Sequence, residues 1–275
     1  MKIKFNRNQR ISCITKVLID NPNKIINLNN FTKMFNAAKS TMSEDIVIVR
    51  EALNKLCMGK IETVAGASGG VKYIPQISSE ESKRFIDELC EILKNPMRII
   101  VGNFIYMTDI LYDPYIITRA AVIMASKFAE IEIDYVITVE TKGIPLAFEV
   151  AKLLGVQLLI VRRDTKVTEG TTISINYISG SSKRIQTMSL SKRAIKKGSK
   201  CIFIDDFMKA GGTANGIINL LKEFESEVLG MGVLIDDVTT QHKLVGEYIS
   251  LIDFKGIDEN GRVELIPSQK SDPNL

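Results

Sequence analysis

The sequence predicts two folding units of different class: a small helical unit closed by a β-hairpin, and a larger α/β unit on a mostly parallel sheet. Three observations support that expectation. Apolar residues at helical spacing run through the first part of the chain until a single Gly-rich hairpin pattern appears. After Asn95-Pro96, apolar runs of strand length alternate with helical stretches, as in strands linked by crossover helices. Charge divides at the same place: through Ile74 there are 12 Lys and Arg against 5 Asp and Glu, and beyond it 24 against 27. Domains are therefore expected at 1–74 and 75–275.

In the helical unit, Ile11, Ile14, Val17 and Leu18 form the stripe of a first helix over Arg10–Asp20, and Asn21-Pro22-Asn23 stops it. Leu28–Phe35 predicts a short second helix with Phe31, Met34 and Phe35 turned inward. Thr41-Met42-Ser43-Glu44 matches a capping box, in which the Thr and Glu side chains satisfy free backbone N–H groups. The helix it opens carries Ile46, Val49, Leu53 and Leu56 on one face, with Gly59 as its terminator. IETVA and VKYI then flank Gly-Ala-Ser-Gly-Gly as a β-hairpin.

Three helices and a hairpin in that order make a winged helix-turn-helix, whose third helix enters the major groove of DNA by its N-terminal end. Lys39, Ser40, Thr41 and Ser43 stand at that end, and Arg50 on its flank. Gly69 and Gly70 in the wing would let backbone approach phosphate closely, with Lys72 beside them. Glu44 and Asp45 would either repel phosphate or serve the helix dipole. Double-stranded DNA is the expected partner, and a protein-interaction wing is the alternative.

Composition narrows the rest. Hydrophobic residues make up 45% and charged residues 25%, ordinary globular usage that excludes a disordered chain or a disulfide scaffold. No stretch reaches the roughly 18 consecutive apolar residues of a membrane span, and MKIKFNRNQR leads into no secretory signal. Cys13, Cys57, Cys90 and Cys201 are widely spaced and read as small buried hydrophobes in a reducing cytoplasm. With His242 the only histidine, His-rich metal sites and Ser-His-Asp catalysis are nearly excluded, since a lone His is far more often a surface or capping residue; with Trp absent, tryptophan stacking is excluded.

In the second unit Ile77–Leu93 is a charged amphipathic helix. DYVITV, VQLLIV, KCIFID and EVLGMGVLID read as strands, and GIPLAFEVAKLL and TANGIINLLKEF as helices. In such sheets ligands bind at the carboxyl ends of strands. At one of these, Asp205-Asp206 follow the apolar Cys201–Ile204, and Phe207-Met208-Lys209-Ala210-Gly211-Gly212-Thr213 lead into a helix. Adjacent carboxylates can accept hydrogen bonds from the vicinal hydroxyls of a ribose. A Gly-Gly turn at a helix N-terminus exposes N–H groups to a phosphate monoester, which the helix dipole also favours, and Thr213 adds a hydroxyl. Neither G-x-x-x-x-G-K-[ST] nor G-x-G-x-x-G occurs, so nucleoside-triphosphate and dinucleotide loops are excluded. Lys192, Arg193, Lys196 and Lys197 are expected on a solvated basic helix face; Asp236-Asp237 end a strand but lack a following glycine loop, so they are expected to form a turn.

CIFIDDFMKAGGT resembles the phosphoribosyl-pyrophosphate (PRPP) motif of type I phosphoribosyltransferases, and VITVETKGIPLA resembles the pyrophosphate loop of the same fold. Arg162, Arg163 and the stretch KVTEGTTISINYISGSSKRIQTMSL are similar to its flexible loop and flanking strands. With a winged helix in front, and with SEDI, GGVKYIP and KAGGTANG in place, nearly the whole chain resembles the purine operon repressor family. The stretch after about Lys255 resembles it least, and Glu140 puts an acid in the pyrophosphate loop. The resemblance implies a dimeric repressor of purine genes that binds operator DNA and is not an enzyme. It implies PRPP as inducer, accompanied by Mg²⁺, and guanosine tetraphosphate as a competing ligand. By the same resemblance Thr141, Lys142 and Gly143 would hold pyrophosphate, alongside Arg162 and Arg163. Phe104 and Tyr106 would either stack on a base or belong to the core. An active purine phosphoribosyltransferase with an accessory winged helix, and an RNA-binding attenuator of this fold, are the competing functions.

Overall fold

The computed structural model describes residues 4–100, 104–164, 170–178 and 184–271. Much of the loop expected between Arg163 and Leu190, namely 165–169 and 179–183, lies outside the described residues. The chain divides into two compact units: Met1–Ser79 with Lys152–Gly155, and Glu80–Ala151 with Val156–Leu275.

The first unit contains α1 (Arg7–Ile19), α2 (Leu28–Phe35), α3 (Lys39–Lys55) and the antiparallel hairpin β1 (Lys60–Val64) and β2 (Gly70–Ile74). α1 starts earlier than its apolar stripe because Asn6 and Gln9 form a reciprocal capping box. Ile14, Leu18, Phe31, Phe35, Met42, Ile46, Val49 and Leu53 close a core completed by Ile61, Val71 and Tyr73 of the hairpin. Met34 stays exposed, since Phe31 and Phe35 already fill the inward face of a two-turn helix.

The ends of α3 differ from expectation. Asn36 takes the left-handed conformation that closes α2, and helix resumes at Lys39 with Ala38 as an N-cap that offers no side-chain bond. Thr41 therefore lies within the first turn, and the Thr41–Glu44 box does not form. At the other end Met58 N–H donates to the Leu53 carbonyl (2.9 Å) and Cys57 N–H to that of Asn54 (3.1 Å), a Schellman motif with Cys57 at positive φ. The terminator is thus Cys57, not Gly59, and both Cys57 and Leu56 are left in solvent. Gly59 answers a separate demand, because a Cβ there would collide with the Tyr73 ring.

Asp45 is neither a phosphate repeller nor a dipole partner. It is buried in the unit, where the Arg10 guanidinium donates to it (Nε–Oδ2 2.7 Å) and Arg7 lies 3.4 Å away. This pair ties α1 to α3.

The second unit opens with α4 (Ser79–Leu93), a 3-10 turn at Pro96–Arg98, and a two-stranded hairpin, β3 (Ile99–Ile100) with β4 (Phe104–Ile105). α5 (Thr108–Leu111) and α6 (Pro114–Lys127) follow, the latter capped by Asp113. Then come β5 (Tyr135–Val139), α7 (Ile144–Leu154), β6 (Gln157–Val161), the antiparallel pair β7 (Thr172–Ile178) and β8 (Ile185–Ser191), β9 (Lys200–Met208), α8 (Gly212–Lys222) and β10 (Glu227–Asp237). β11 (Ile249–Ile257) and β12 (Val263–Pro267) complete a six-stranded sheet of order β12-β11-β10-β9-β5-β6. All its pairings are parallel except that of β12, the expected α/β architecture.

The alternation along β10 shows why both faces of the sheet are covered. A Cβ at Gly230 would stand 2.7 Å from the Phe128 ring and one at Gly232 would strike Met124, so the α6 segment presses on that face. Met231 and Val233 turn to the other face, into a core shared with Ala214, Ile217, Leu220 and Leu221 of α8. Two further expectations are corrected here. Residues 192–199 form turns and not a basic helix face: Lys192 N–H bonds to the Thr171 carbonyl, Ala194 N–H closes a turn on Ser191, and Gly198 takes a positive φ. Asp236 and Asp237 do end a strand, but they are buried rather than part of a simple turn: the Asp236 carboxylate meets Lys243 and Lys270, and that of Asp237 accepts from Thr239.

Replacing Asp45 with Ala strands two arginines and opens the α1–α3 junction. We expect a loss of about 3 kcal/mol in urea unfolding of the full chain. A loss below about 0.5 kcal/mol, the range of ordinary surface changes, would show that the pair contributes no more than they do.

Candidate functional site

β5 and β9 are parallel neighbours, with Tyr135 opposite Cys201 and Ile137 opposite Phe203. The loops leaving their carboxyl ends therefore meet. Gly143 is buried at the junction: a Cβ on it would collide with Asp205 Oδ1 and stand 2.7 Å from Thr138 Oγ1. Glycine is required so that the 140–143 loop can lie against the carboxylate. Thr138 Oγ1 is the one buried side-chain polar atom without a hydrogen-bond partner among the described residues, and such groups concentrate at functional sites.

Asp205 is hemmed in by protein although part of it is reached by solvent. Burial pushes its carboxyl well above the usual carboxylate range, and the neighbouring Asp206 charge pushes in the same direction. Its Oδ1 accepts the Asp206 N–H at 2.9 Å. Glu140, the acid unexpected in an anion loop, is turned to other work: it accepts the Arg163 N–H (2.7 Å) and lies 3.5 Å from the Arg162 guanidinium. Paired main-chain bonds with Ser189 hold Arg162 to the β7–β8 side. α8 begins at Gly212 behind Gly211, whose φ of 79° and bare Cα leave the first-turn N–H groups without a side-chain cap. That is the geometry of an anion site.

A cavity of about 460 Å³ lies over these loops, lined by Lys142, Asp206, Phe207 and Lys209 from the predicted set, and by Phe104 and Tyr106. The two aromatics are exposed in this hollow and do not belong to the core. Phe254 faces them from β11, its ring 6.4 Å from that of Phe207. Arg98 holds the hood: its guanidinium donates twice to Asp109 (both 2.8 Å), and to the carbonyls of Tyr106 (3.1 Å) and Ile92 (3.1 Å). The hydrogen bond and charge of Arg98 keep the Asp109 carboxyl below its ordinary range. A larger depression, about 770 Å³, follows one face of α4, but its walls are a single helix and no loop converges on it.

Several placements modify the sequence reading. Thr141 is exposed on its loop, Ala210, Gly211, Gly212 and Thr213 form the turn as expected, and Met208 is a core side chain that contributes only backbone to the loop. Phe254, Arg98 and Asp109 were missed. Their signal was faint: one aromatic in the least familiar stretch, and an ion pair between residues whose partnership only folding creates.

In the first unit Lys39, Ser40 and Ser43 are exposed at the start of α3, Thr41 partly so, and the Ser43 hydroxyl donates to the Lys39 carbonyl (3.1 Å). Arg50, on the flank of α3, donates to the Ile61 carbonyl (3.0 Å) and the Thr63 hydroxyl (2.8 Å) of the wing. Gly69 and Gly70 depart from expectation. They are buried, and Cβ atoms there would strike the carbonyls of Val64 and Ile26, so the close approach they allow is to the protein's own backbone. The exposed tip is Ala65–Ser68. Lys72 sits 3.7 Å from Glu62, whose carboxyl Lys60 and Lys72 hold below its ordinary range.

Residues 6–75 match the family model described as bacterial purine repressor, N-terminal, and residues 107–259 the phosphoribosyl transferase domain. The chain is 49% identical over 256 residues to the purine biosynthesis transcriptional repressor of Bacillus subtilis, covering 93% of this chain and 90% of that one. It is 40% identical over 254 residues to the purine biosynthesis transcriptional activator of Lactococcus lactis, covering 92% and 94%. Among solved structures, adenine phosphoribosyltransferase from Thermoanaerobacter pseudethanolicus superposes with a TM-score of 0.53 at 22% identity, over 61% of this chain and 99% of that one. This second likeness concerns the fold alone.

The raised Asp205 carboxyl gives a pH signature. Between the ordinary carboxylate pKa and the raised one, the folded chain keeps a proton that the unfolded chain releases, so stability falls as pH rises through this window. Asp205→Asn removes that loss while keeping the acceptor for Asp206 N–H. The variant should melt higher than wild type at pH 7 and converge with it below about pH 4. An equal or lower melting temperature at pH 7 would contradict the assignment.

Proposed function

The chain belongs to the bacterial purine repressor family, and from that premise we propose that it represses purine biosynthesis genes as a DNA-bound homodimer released by PRPP. The observation that carries the inducer reading is the meeting of two anion-suited loops across Gly143 and Asp205, beneath an aromatic hood. PRPP has matching parts. Its 5′-phosphate suits the Lys209–Thr213 turn, its ribose hydroxyls suit Asp205 and Asp206, and its pyrophosphate suits Thr141–Gly143 with Arg162 and Arg163. Guanosine tetraphosphate, with phosphates at two ends and a purine to stack on Phe104, Tyr106 or Phe207, would fill the same space and compete.

Among the described residues no three His, Cys, Asp or Glu converge as a metal cage. Asp205 and Asp206 would therefore hold Mg²⁺ only together with oxygens of PRPP, where the ion would neutralise pyrophosphate charge. DNA would be met by Lys39, Ser40, Thr41 and Ser43 at the head of α3, with Lys72 and the 65–68 tip on the wing. For PRPP to act as inducer it must bind the DNA-free state more tightly than the DNA-bound state.

Gel shifts on purine-operon control DNA test this reading. Binding by the wild type should weaken as PRPP is added, and the Asp205→Ala/Asp206→Ala double variant should bind DNA normally but ignore PRPP. Couplings of this kind are typically about 5–150-fold in affinity, well within titration. A folded double variant that still responds at wild-type PRPP concentrations would remove these acids from the inducer site. Because the Lactococcus lactis relatives are named activators, a reporter fused to the same DNA should also be assayed, with expression expected to rise when the protein is deleted.

The pocket is read as a sensor and not as a transferase site. Incubation with PRPP and adenine, guanine, hypoxanthine or xanthine should release no base-dependent pyrophosphate. Turnover near the ordinary enzyme range, about 1–10³ per second, would favour the enzyme reading instead.

A further inference from the structure

We propose that Lys243 is a positioning residue of the phosphate turn, holding carbonyls to one side so that N–H groups face the ligand; the proposal rests on reading Lys209–Thr213 as a phosphate site. The Lys243 ammonium is almost buried, its side chain 13% exposed. It donates to the Asp236 carboxylate (2.7 Å), the Asp237 carbonyl (2.7 Å), the Met208 carbonyl (3.4 Å) and the Lys209 carbonyl. One residue further on, Leu244 N–H donates to the Ala210 carbonyl at 2.9 Å. Three consecutive carbonyls, 208 to 210, are thus occupied by two neighbouring residues.

Peptide geometry turns this into a ligand-facing effect. In a trans peptide the carbonyl and the next N–H point in opposite directions. Drawing the carbonyls of Met208, Lys209 and Ala210 toward Lys243 and Leu244 therefore turns the N–H groups of Lys209, Ala210 and Gly211 the other way. Successive N–H groups turned one way form a concavity for an anion. Gly211 makes the packing possible, since a Cβ there would stand 3.1 Å from Val245 and its φ is 79°.

A lysine suits the position because an ammonium offers three donors and no acceptor, one of them shared between the Lys209 carbonyl and the more distant Met208 carbonyl. Its charge is balanced by Asp236, which is fully buried and also accepts from Lys270 Nζ (2.7 Å) and the Tyr248 hydroxyl (2.9 Å). Burial opposes ionisation of Asp236, but these three hydrogen bonds outweigh it and keep the carboxyl below its ordinary range. The turn is thereby held before any ligand arrives, which lowers the ordering cost of binding.

Calorimetric titration of the full chain with PRPP, and separately with inorganic pyrophosphate, tests the proposal. Lys243→Met should weaken PRPP binding roughly 10-fold or more, because charge-assisted bonds that order the turn are lost. Pyrophosphate, expected at the 141–143 loop, should stay within about 2-fold. Lys243→Arg should recover most of the PRPP affinity. Asp236→Asn/Lys243→Met, which leaves no stranded carboxylate, should bind PRPP as weakly as Lys243→Met. Unchanged PRPP affinity in both Met-bearing variants would overturn the proposal, as would equal loss of both ligands, which marks general damage. If wild type itself took up no PRPP, the reading of the site would fall first, and this proposal with it.

Discussion

The ligand-facing end of the sheet depends on one close approach, that of the 140–143 loop to Asp205. No side chain fits at Gly143, because Asp205 Oδ1 and Thr138 Oγ1 already occupy the space. Parallel pairing of β5 with β9 brings the two loops to the same edge, and bare backbone lets them touch. The same contact desolvates Asp205 beside Asp206 and raises its carboxyl. Two adjacent carboxylates and the uncapped head of α8 thus lie within one short span of chain.

Beyond this contact, charged pairs with at least one partly or fully buried member fasten segments that hydrophobic packing alone would leave free to shift. Asp45 with Arg10 joins α3 to α1, and Arg98 with Asp109 pins the β3–β4 hood. Asp236 with Lys243 and Lys270 ties the segments after β10 and β12 to the end of that strand. Buried pairs are weak evidence of net stability, because desolvation offsets most of the attraction. Their effect here is geometric. Each makes one arrangement of carbonyls and guanidinium or ammonium groups cheaper than its alternatives, and two of the three hold backbone of residues that line the cavity, Tyr106 and Lys209.

The cavity combines two kinds of surface: Lys142, Asp206 and Lys209 line it with charge, and Phe104, Tyr106, Phe207 and Phe254 with aromatic rings. Nothing in that set requires a nucleophile. The winged unit shows a parallel economy, since Arg50 and the wing glycines shape the hairpin, and the exposed polar residues at the head of α3 are left for a partner.

Sequence alone determined the three helices and hairpin of the first unit, the alternating strands and helices from β5 to β10 and the place of the Asp205–Thr213 loop, because each rests on local rules; it did not reveal β3, β4, α5, α6, β11 or β12. Apolar period sets helix or strand, glycine permits tight turns, and adjacent acids before a Gly-Gly turn suit ribose and phosphate within a few residues. It misplaced what depends on partners far along the chain. Asp45 was read through phosphate or the helix dipole, Arg50 as a helix flank and Asp236 as the start of a turn, yet their partners are Arg10, the Ile61 carbonyl and Lys243 with Lys270. Met34 and Leu56 fit an apolar stripe but lie outside a core already filled by their neighbours. Whether Phe104 and Tyr106 were core or cavity was decided by the Arg98 clamp and the arrival of β11, neither of which a local window contains. A charge or an aromatic ring acquires its role from what folding brings within a few ångströms of it, and that proximity is a property of the tertiary structure.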